Sequence, residues 1–215
     1  MCEQSTSKKE IYYIGLTGLP GSGKSEFIKI LKKILNDKDI ICTYYSLSDE
    51  LREEARKMGL TIKRDVLHNL GNELRSRHGN GILSLKLCKK ISKEIIRVVN
   101  ADRVAIVIDG IRNPEEVLVF RKEFGHSFSL IAIKAPIDEV LRRLSSRSRQ
   151  DENTKILKHK NLALKMVIRE SGEGEPSHGI NIHECMTMAE YAIDNSKNRE
   201  HLSQMVEELC ESLIT

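Results

Sequence analysis

The chain has 215 residues, of which 40% are hydrophobic and 31% are charged. This length suits one well-buried α/β domain, and the apolar content argues against global disorder. The 35 Lys and Arg residues nearly balance the 31 Asp and Glu residues, which argues against nucleic acid as a partner. No apolar run approaches the ~20 residues of a membrane-spanning helix, so no membrane association is expected.

The N-terminal residues 1–10 are polar and lack the apolar core of a signal peptide, so we expect a disordered tail there. The cysteines are odd in number and widely spaced, which favours reduced thiols and a cytoplasmic location over a disulfide framework. They are Cys2, Cys42, Cys88, Cys185 and Cys210.

Short apolar runs alternate with longer amphipathic segments, a pattern typical of βαβ units around a parallel sheet. Strands are predicted at 11–17, 40–45, 103–109, 128–134 and 191–194. The run Val104 to Ile108 is apolar on both faces, as a central parallel strand requires. Helices are predicted from 24 to about 33, at 49–58, 64–77 and 82–99, from Pro114, and at 136–147 and 199–213.

The segment 147–179 has the least regular pattern of the chain. It is rich in charge and then in glycine, and it reads Ser-Gly-Glu-Gly-Glu-Pro from Ser171 to Pro176. We predict a lid over residues 147–179, while an ordinary surface loop fits the same pattern. Lysines 155, 158, 160 and 165 predict a solvated helix face.

A Walker A motif occupies the turn after the first strand, with the sequence Gly-Leu-Pro-Gly-Ser-Gly-Lys-Ser. Its glycines let backbone N–H groups converge on phosphate oxygens, and the following helix presents its positive end to them. Lys24 then neutralises phosphate charge, and the Ser25 hydroxyl coordinates Mg²⁺. The predicted cofactors are ATP and Mg²⁺, and the predicted nucleotide contacts are Gly18, Leu19, Pro20, Gly21, Ser22, Gly23, Lys24, Ser25 and Glu26.

The motif and the alternating pattern together predict the fold. We expect an α/β, three-layer P-loop NTPase fold with a mostly parallel sheet of about five strands and a helical lid. It would form a single kinase-like domain over residues 11–214.

A second acidic group, Asp109, ends the predicted central strand and is expected to hold Mg²⁺ together with Ser25. Gly110 follows it, where motor ATPases usually carry a glutamate that activates water. The chain also has no Asn-Lys-x-Asp motif for guanine, which argues against a GTPase. A kinase needs cationic side chains around the transferred phosphoryl group, and Arg112 and an arginine-rich run at 143–149 supply them.

Several of these segments resemble P-loop nucleoside monophosphate kinases. Asp109-Gly110-Ile111-Arg112 resembles their Asp-Gly-x-x-Arg strand end with one residue fewer, and residues 48–52 resemble the start of their acceptor-site helix. Residues 143–149 are similar to the arginine-bearing lid of those enzymes and of dephospho-CoA kinases. Residues 189–195 resemble the last strand of the latter. The whole of 11–214 is most similar to nucleotide kinases related to dephospho-CoA kinase.

The resemblance implies a role for each polar residue. Arg52 and Arg112 would hold a small phosphorylated acceptor, and Asp49 would orient or deprotonate an acceptor hydroxyl. Arg147 and Arg149 would close over the phosphates during catalysis. The resemblance thus implies the catalytic set Lys24, Asp49, Arg112, Arg147 and Arg149.

Two departures bear on the acceptor. Dephospho-CoA kinases carry two aspartates after the second strand, where this chain has only Asp49, and their His-Pro pair before the central strand is missing. A nucleoside monophosphate is therefore favoured over dephospho-CoA. Two alternatives stay open: Arg52 could pair with a surface carboxylate such as Glu53, and the chain could be a non-catalytic ATP-sensing module that acts through a protein partner.

Overall fold

The computed structural model describes residues 9–95, 101–146 and 160–214. Its centre is a five-stranded sheet in the order β2-β3-β1-β4-β5, and every neighbouring pair of strands is parallel. The strands are β1 (Glu10–Thr17), β2 (Ile41–Ser46), β3 (Arg103–Asp109), β4 (Phe128–Lys134) and β5 (Tyr191–Asp194).

Helices cover both faces of this sheet. In chain order they are α1 (Lys24–Asp37), α2 (Leu47–Lys57), α3 (Arg64–His78), α4 (Ile82–Ile95), α5 (Pro114–Phe124), α6 (Ile137–Ser146), α7 (Lys160–Ser171), α8 (Ile182–Thr187) and α9 (Arg199–Leu213). The α/β P-loop fold predicted from the sequence is confirmed.

The sheet is central because its middle strands are apolar on both sides. Residues 104 to 108 of β3 are all buried. Ala105 and Val107 pack into the core beneath α1 and α9, whereas Ile106 and Ile108 pack into the core beneath α2 to α5. Parallel strands covered by helices on both faces need this continuous apolar character.

Most predicted elements have the observed bounds to within a few residues, and β3, β4, β5 and α9 match at both ends. The first helix runs past 33 to Asp37, because Leu35 is completely buried in the core. The helix predicted at 82–99 is described through Ile95, and its last residues lie outside the described part of the chain.

The segment 147–179 has the least regular pattern, but a helical lid is predicted there with Lys160 and Lys165 on a helix face, and residues 160–171 do form a helix, α7. Ala163, Met166 and Val167 are buried at the i, i+3, i+4 spacing of a helix face, and they pack with Val140 and Leu144 of α6. This buried apolar stripe of α7 is narrow and lies among charged residues, so the composition of the segment did not indicate it. Within the described residues, no helix is long and apolar enough to cross a membrane.

Candidate nucleotide and acceptor site

The loop between β1 and α1 has the backbone that a phosphate-binding turn needs. Gly18, Gly21 and Gly23 have φ values of +141°, +86° and +106°, which side-chain-bearing residues rarely adopt. A Cβ on Gly23 would lie 1.9 Å from the Asn195 side chain. Both the backbone conformation and the packing therefore require glycine here.

The Lys24 ammonium lies over this loop. Its Nζ donates to the carbonyl oxygen of Gly18 at 2.5 Å and to that of Leu19 at 3.2 Å. Ser25, in the first turn of α1, is exposed. The predicted contact residue Glu26 is turned towards α9, where its carboxylate accepts from Arg199 Nε at 2.7 Å.

Two residues outside the Walker A motif, Arg143 and Asn195, donate hydrogen bonds to carbonyl oxygens of the loop. Arg143 of α6 donates to the carbonyl oxygens of Ser22 at 3.3 Å, Gly21 at 3.4 Å and Asn195 at 3.0 Å. Asn195 Nδ2 also donates to the Ser22 carbonyl, at 2.8 Å. The sequence placed Arg143 in an arginine-rich run and Asn195 after the last strand, but it did not indicate that both brace the P-loop.

Asp109 reaches the carboxyl end of the sheet beside the P-loop, because β3 pairs it with Leu16 of β1. Its Oδ2 accepts from the Tyr44 hydroxyl at 3.2 Å, while Oδ1 is buried and has no hydrogen-bond partner among the described residues. Burial and then the nearby charge of Asp109 raise the pKa of Tyr44 to about 12. A carboxylate oxygen left without a donor fits the oxygen ligand that Mg²⁺ takes.

A cavity of about 550 Å³ lies next to Gly110 and Arg112, just beyond the carboxyl end of β3, between α2, α3 and α7. The predicted acceptor residues Arg52 and Arg112 both line it. Asp49 is not among the lining residues: its side chain is 60% exposed and accepts from Arg52 at 2.6 Å. Arg147 and Arg149 lie outside the described residues.

Apolar and charged groups share the walls of this cavity. Leu47, Leu51, Leu67 and Met166 form apolar wall, and Glu116 and Glu170 are its buried carboxylates. The cationic lining residues are Arg52, Arg64, Arg75, Arg112, Lys165 and Arg169. Sequence reasoning identified only Arg52 and Arg112 of this set as functional.

The start of α5 fixes the backbone of Arg112. Asn113 caps that helix, and the Glu116 carboxylate accepts from the backbone N–H groups of Arg112 at 2.9 Å and Asn113 at 3.1 Å. The other oxygen of Glu116 pairs with buried Arg75 at 3.1 Å. The capping box thus fixes the backbone of Arg112 against the buried carboxylate of Glu116.

The Arg112 side chain points to Glu170 of α7, a carboxylate with only 2% of its surface exposed. Arg112 approaches it at 3.2 Å, and Arg64 of α3 donates to it at 2.6 Å. Burial raises the pKa of Glu170, but the charges of Arg112 and Arg64 outweigh burial and lower it to about 2. Glu170 therefore stays ionised at neutral pH.

We expect Glu170→Gln to be destabilising at neutral pH and progressively less so in acid. A carboxyl with a depressed folded pKa contributes stability above its ordinary pKa of 4.5, and this is lost as the pH falls towards 2. Urea unfolding of both proteins across this range measures the difference in unfolding free energy. Other carboxylates cancel in that difference, so a pH-independent gap would contradict the assignment.

Comparisons with known proteins bear on the family and the fold of this chain. A family model described as an AAA domain, AAA_17, matches residues 17–158, more than half of the chain. A UPF0200/UPF0201 protein of Archaeoglobus fulgidus is 28% identical over 200 residues, covering 93% of this chain but 55% of its own length. The chain thus spans about half the length of that relative. A UPF0200 protein of Saccharolobus islandicus is 29% identical over 208 residues, covering 95% of each chain.

A solved structure of shikimate kinase from Bacteroides thetaiotaomicron superimposes with a TM-score of 0.55 at 16% sequence identity. The match covers 95% of this chain and 99% of that one. At this identity the likeness shows a shared P-loop kinase fold.

Proposed function

We propose that this chain, which belongs to the AAA_17 family of AAA domains, transfers the γ-phosphate of ATP to a small phosphorylated acceptor. A nucleoside monophosphate is favoured over dephospho-CoA. The observation that carries the proposal is the cation-lined cavity beside the carboxyl end of β3. Asp109, the last residue of that strand, lies next to the P-loop. A site for ATP next to a site for an anion is the arrangement that phosphoryl transfer between two small molecules needs.

The donor side of the reaction belongs to the P-loop. The amides of the loop and Lys24 would bind the β- and γ-phosphates, and Lys24 would exchange its carbonyl partners for phosphate oxygens. Ser25 and Asp109 would hold Mg²⁺, which supplies charge neutralisation on the transferred phosphoryl group when bound. Arg143 and Asn195 would keep the loop amides aligned.

The acceptor side belongs to the cavity. Arg112 and Arg52 would bind the acceptor, and Asp49 orients the Arg52 guanidinium through their 2.6 Å contact. For an acceptor that reacts through a hydroxyl, Asp49 would have to leave this pair to take the proton. A phosphate acceptor is already a nucleophile and needs no such base, which favours a nucleoside monophosphate.

Water must be kept from the phosphoryl group during transfer. We propose that the lid predicted over residues 147–179 does this, with Arg147 and Arg149 on its arginine-rich side. In the described part of this segment, α7 carries Glu170 and Arg169 into the wall of the acceptor cavity. Because α7 belongs to both the lid segment and the cavity wall, closure of the lid over ATP would also change the acceptor site.

The direct test is an assay of purified protein with ATP, Mg²⁺ and a panel of nucleoside monophosphates, with dephospho-CoA included. Formation of ADP and a phosphorylated product with one acceptor supports the kinase. Tight ATP binding without product from any acceptor would instead favour the ATP-sensing module.

Arg112→Ala is expected to weaken acceptor binding by about 10- to 100-fold, because one pair of charge-assisted hydrogen bonds is lost. ATP affinity should change much less. Calorimetry with each ligand measures both effects, and Arg121→Ala is the matched control, since Arg121 is equally exposed (35% against 34%) and pairs with Glu190 on another face. An equal loss for both ligands would place Arg112 in the donor site.

A further inference from the structure

Three arginines surround one buried carboxylate at the wall formed by α3 and α7. Arg64 and Arg112 both contact Glu170, and the neighbouring Arg169 adds its charge to the same group. Together, three guanidiniums and one carboxylate leave a formal charge of +2. Asp65 pairs with Arg169 at 3.2 Å, but its side chain is 84% exposed, so solvent screens this pair.

The cluster is also incompletely hydrogen-bonded. The Nε–H groups of Arg64 and Arg169 and the Oε2 atom of Glu170 are buried, and none of them has a hydrogen-bond partner within the described residues. Burial and the charges of Arg112 and Arg169 lower the pKa of Arg64, although Glu170 opposes them. Like charges held together with unused donors are costly unless an anion joins them.

All four residues line the 550 Å³ cavity, so a small molecule can reach the parts of the guanidiniums that stay exposed, although the two Nε–H groups are buried. Glu170 lies beneath them with 2% exposure, whereas Arg64 and Arg112 keep 36% and 34% of their side-chain surface open. The carboxylate is therefore an anchor for the guanidiniums, and their remaining donors are available to a ligand. Arg52, in contrast, is bound to Asp49 on the exposed side of α2.

We propose that Arg64, Arg112 and Arg169 bind a phosphate dianion carried by the acceptor, with Glu170 as the positioning residue that holds Arg64 and Arg112 in place. The inference rests on the proposed function in taking the occupant to be the acceptor. It assigns binding roles to Arg64 and Arg169 and a positioning role to Glu170, beyond the Arg52 and Arg112 contacts.

The charge of the cluster selects the class of anion. A phosphate monoester has a second pKa near 6 and is mostly a dianion above pH 7, so it neutralises a charge of +2. A carboxylate carries one negative charge and would leave half of that charge uncompensated. Guanidinium forks also match phosphate oxygens in pairs.

Binding of inorganic phosphate tests this site directly. The melting temperature is recorded against phosphate concentration at constant ionic strength, with Mg²⁺ and a non-hydrolysable ATP analogue present so that the P-loop is filled. Acetate serves as the monoanion control. Phosphate should stabilise the wild-type protein at concentrations where acetate does not.

Variants of the cluster test the role of each residue in phosphate binding. Arg64→Gln and Arg169→Gln should each weaken phosphate binding by about 10- to 100-fold. Glu170→Gln keeps all three guanidiniums but weakens the hold on Arg64 and Arg112, so it should weaken phosphate binding by clearly less than either arginine variant does. Arg121→Gln is the matched arginine outside the cavity and should leave phosphate binding unchanged.

Two results would overturn the inference. One is unchanged phosphate affinity in both Arg64→Gln and Arg169→Gln; the other is equal weakening in these variants and in Glu170→Gln, which would reflect damage to the fold. Phosphate binding is measured without turnover. If the protein has kinase activity but Arg64→Gln and Arg169→Gln leave its phosphate affinity unchanged, only the anion site is disproved. A working anion site without transfer to any acceptor disproves only the kinase.

Discussion

Lys24→Ala is expected to abolish measurable ATP binding while the protein stays folded. The Lys24 ammonium donates to the carbonyl oxygens of Gly18 and Leu19 in the loop, at a position where phosphate oxygens would replace them. The side chain is half-buried and belongs to none of the hydrophobic clusters, so its loss leaves no core cavity. Loss of charge-assisted bonds to two phosphates should weaken binding by about 100-fold or more.

Calorimetry with ATP and Mg²⁺ measures this loss, and thermal unfolding without nucleotide checks the fold. Lys29→Ala is the matched control, because Lys29 lies on the same helix with an exposed side chain paired only weakly with Glu26 at 3.6 Å. ATP affinity that persists in a folded Lys24→Ala protein would remove the basis for the nucleotide site.

The sheet could be predicted from the sequence because its pattern is local. Five consecutive apolar residues in β3 are typical of a central strand that is covered on both faces, and the structure buries all of them. The P-loop is local too: one run of eight residues contains the glycines, the lysine and the serine. The position of Asp109 and Arg112 beside the P-loop was also expected from the sequence, since they end or follow β3 and the carboxyl ends of parallel strands are where α/β sheets bind ligands.

The cavity wall formed by α3 and α7 could not be predicted from the sequence, because it depends on contacts between distant residues. Arg64 and Glu170 are 106 positions apart, and nothing near either residue indicates the other. Glu170 also lies in a segment whose charge and glycine content favour a loop, while three buried residues make part of it a helix. The same holds for Arg143 and Asn195, which are 52 positions apart and meet behind the P-loop.

The arginines predicted for catalysis, Arg147 and Arg149, lie outside the described residues, so their role stays a prediction from sequence. They follow α6 directly, and α6 contacts the P-loop through Arg143. An arginine that joins the transferring phosphoryl group only in the transition state raises turnover without raising ATP affinity. Such groups contribute about 10³–10⁵ in rate.

The double variant Arg147→Ala/Arg149→Ala should therefore lose about 10³-fold or more in kcat, with the Kd for ATP changed only slightly. The single variants then show which arginine carries the effect. Arg142→Ala is the control, because Arg142 precedes them on the exposed face of α6 and pairs with Glu139 at 2.7 Å. If the double variant turns over at the wild-type rate, the phosphoryl group is stabilised from within the described site. The cavity arginines, with Arg112 first, would then be the groups to test for that role.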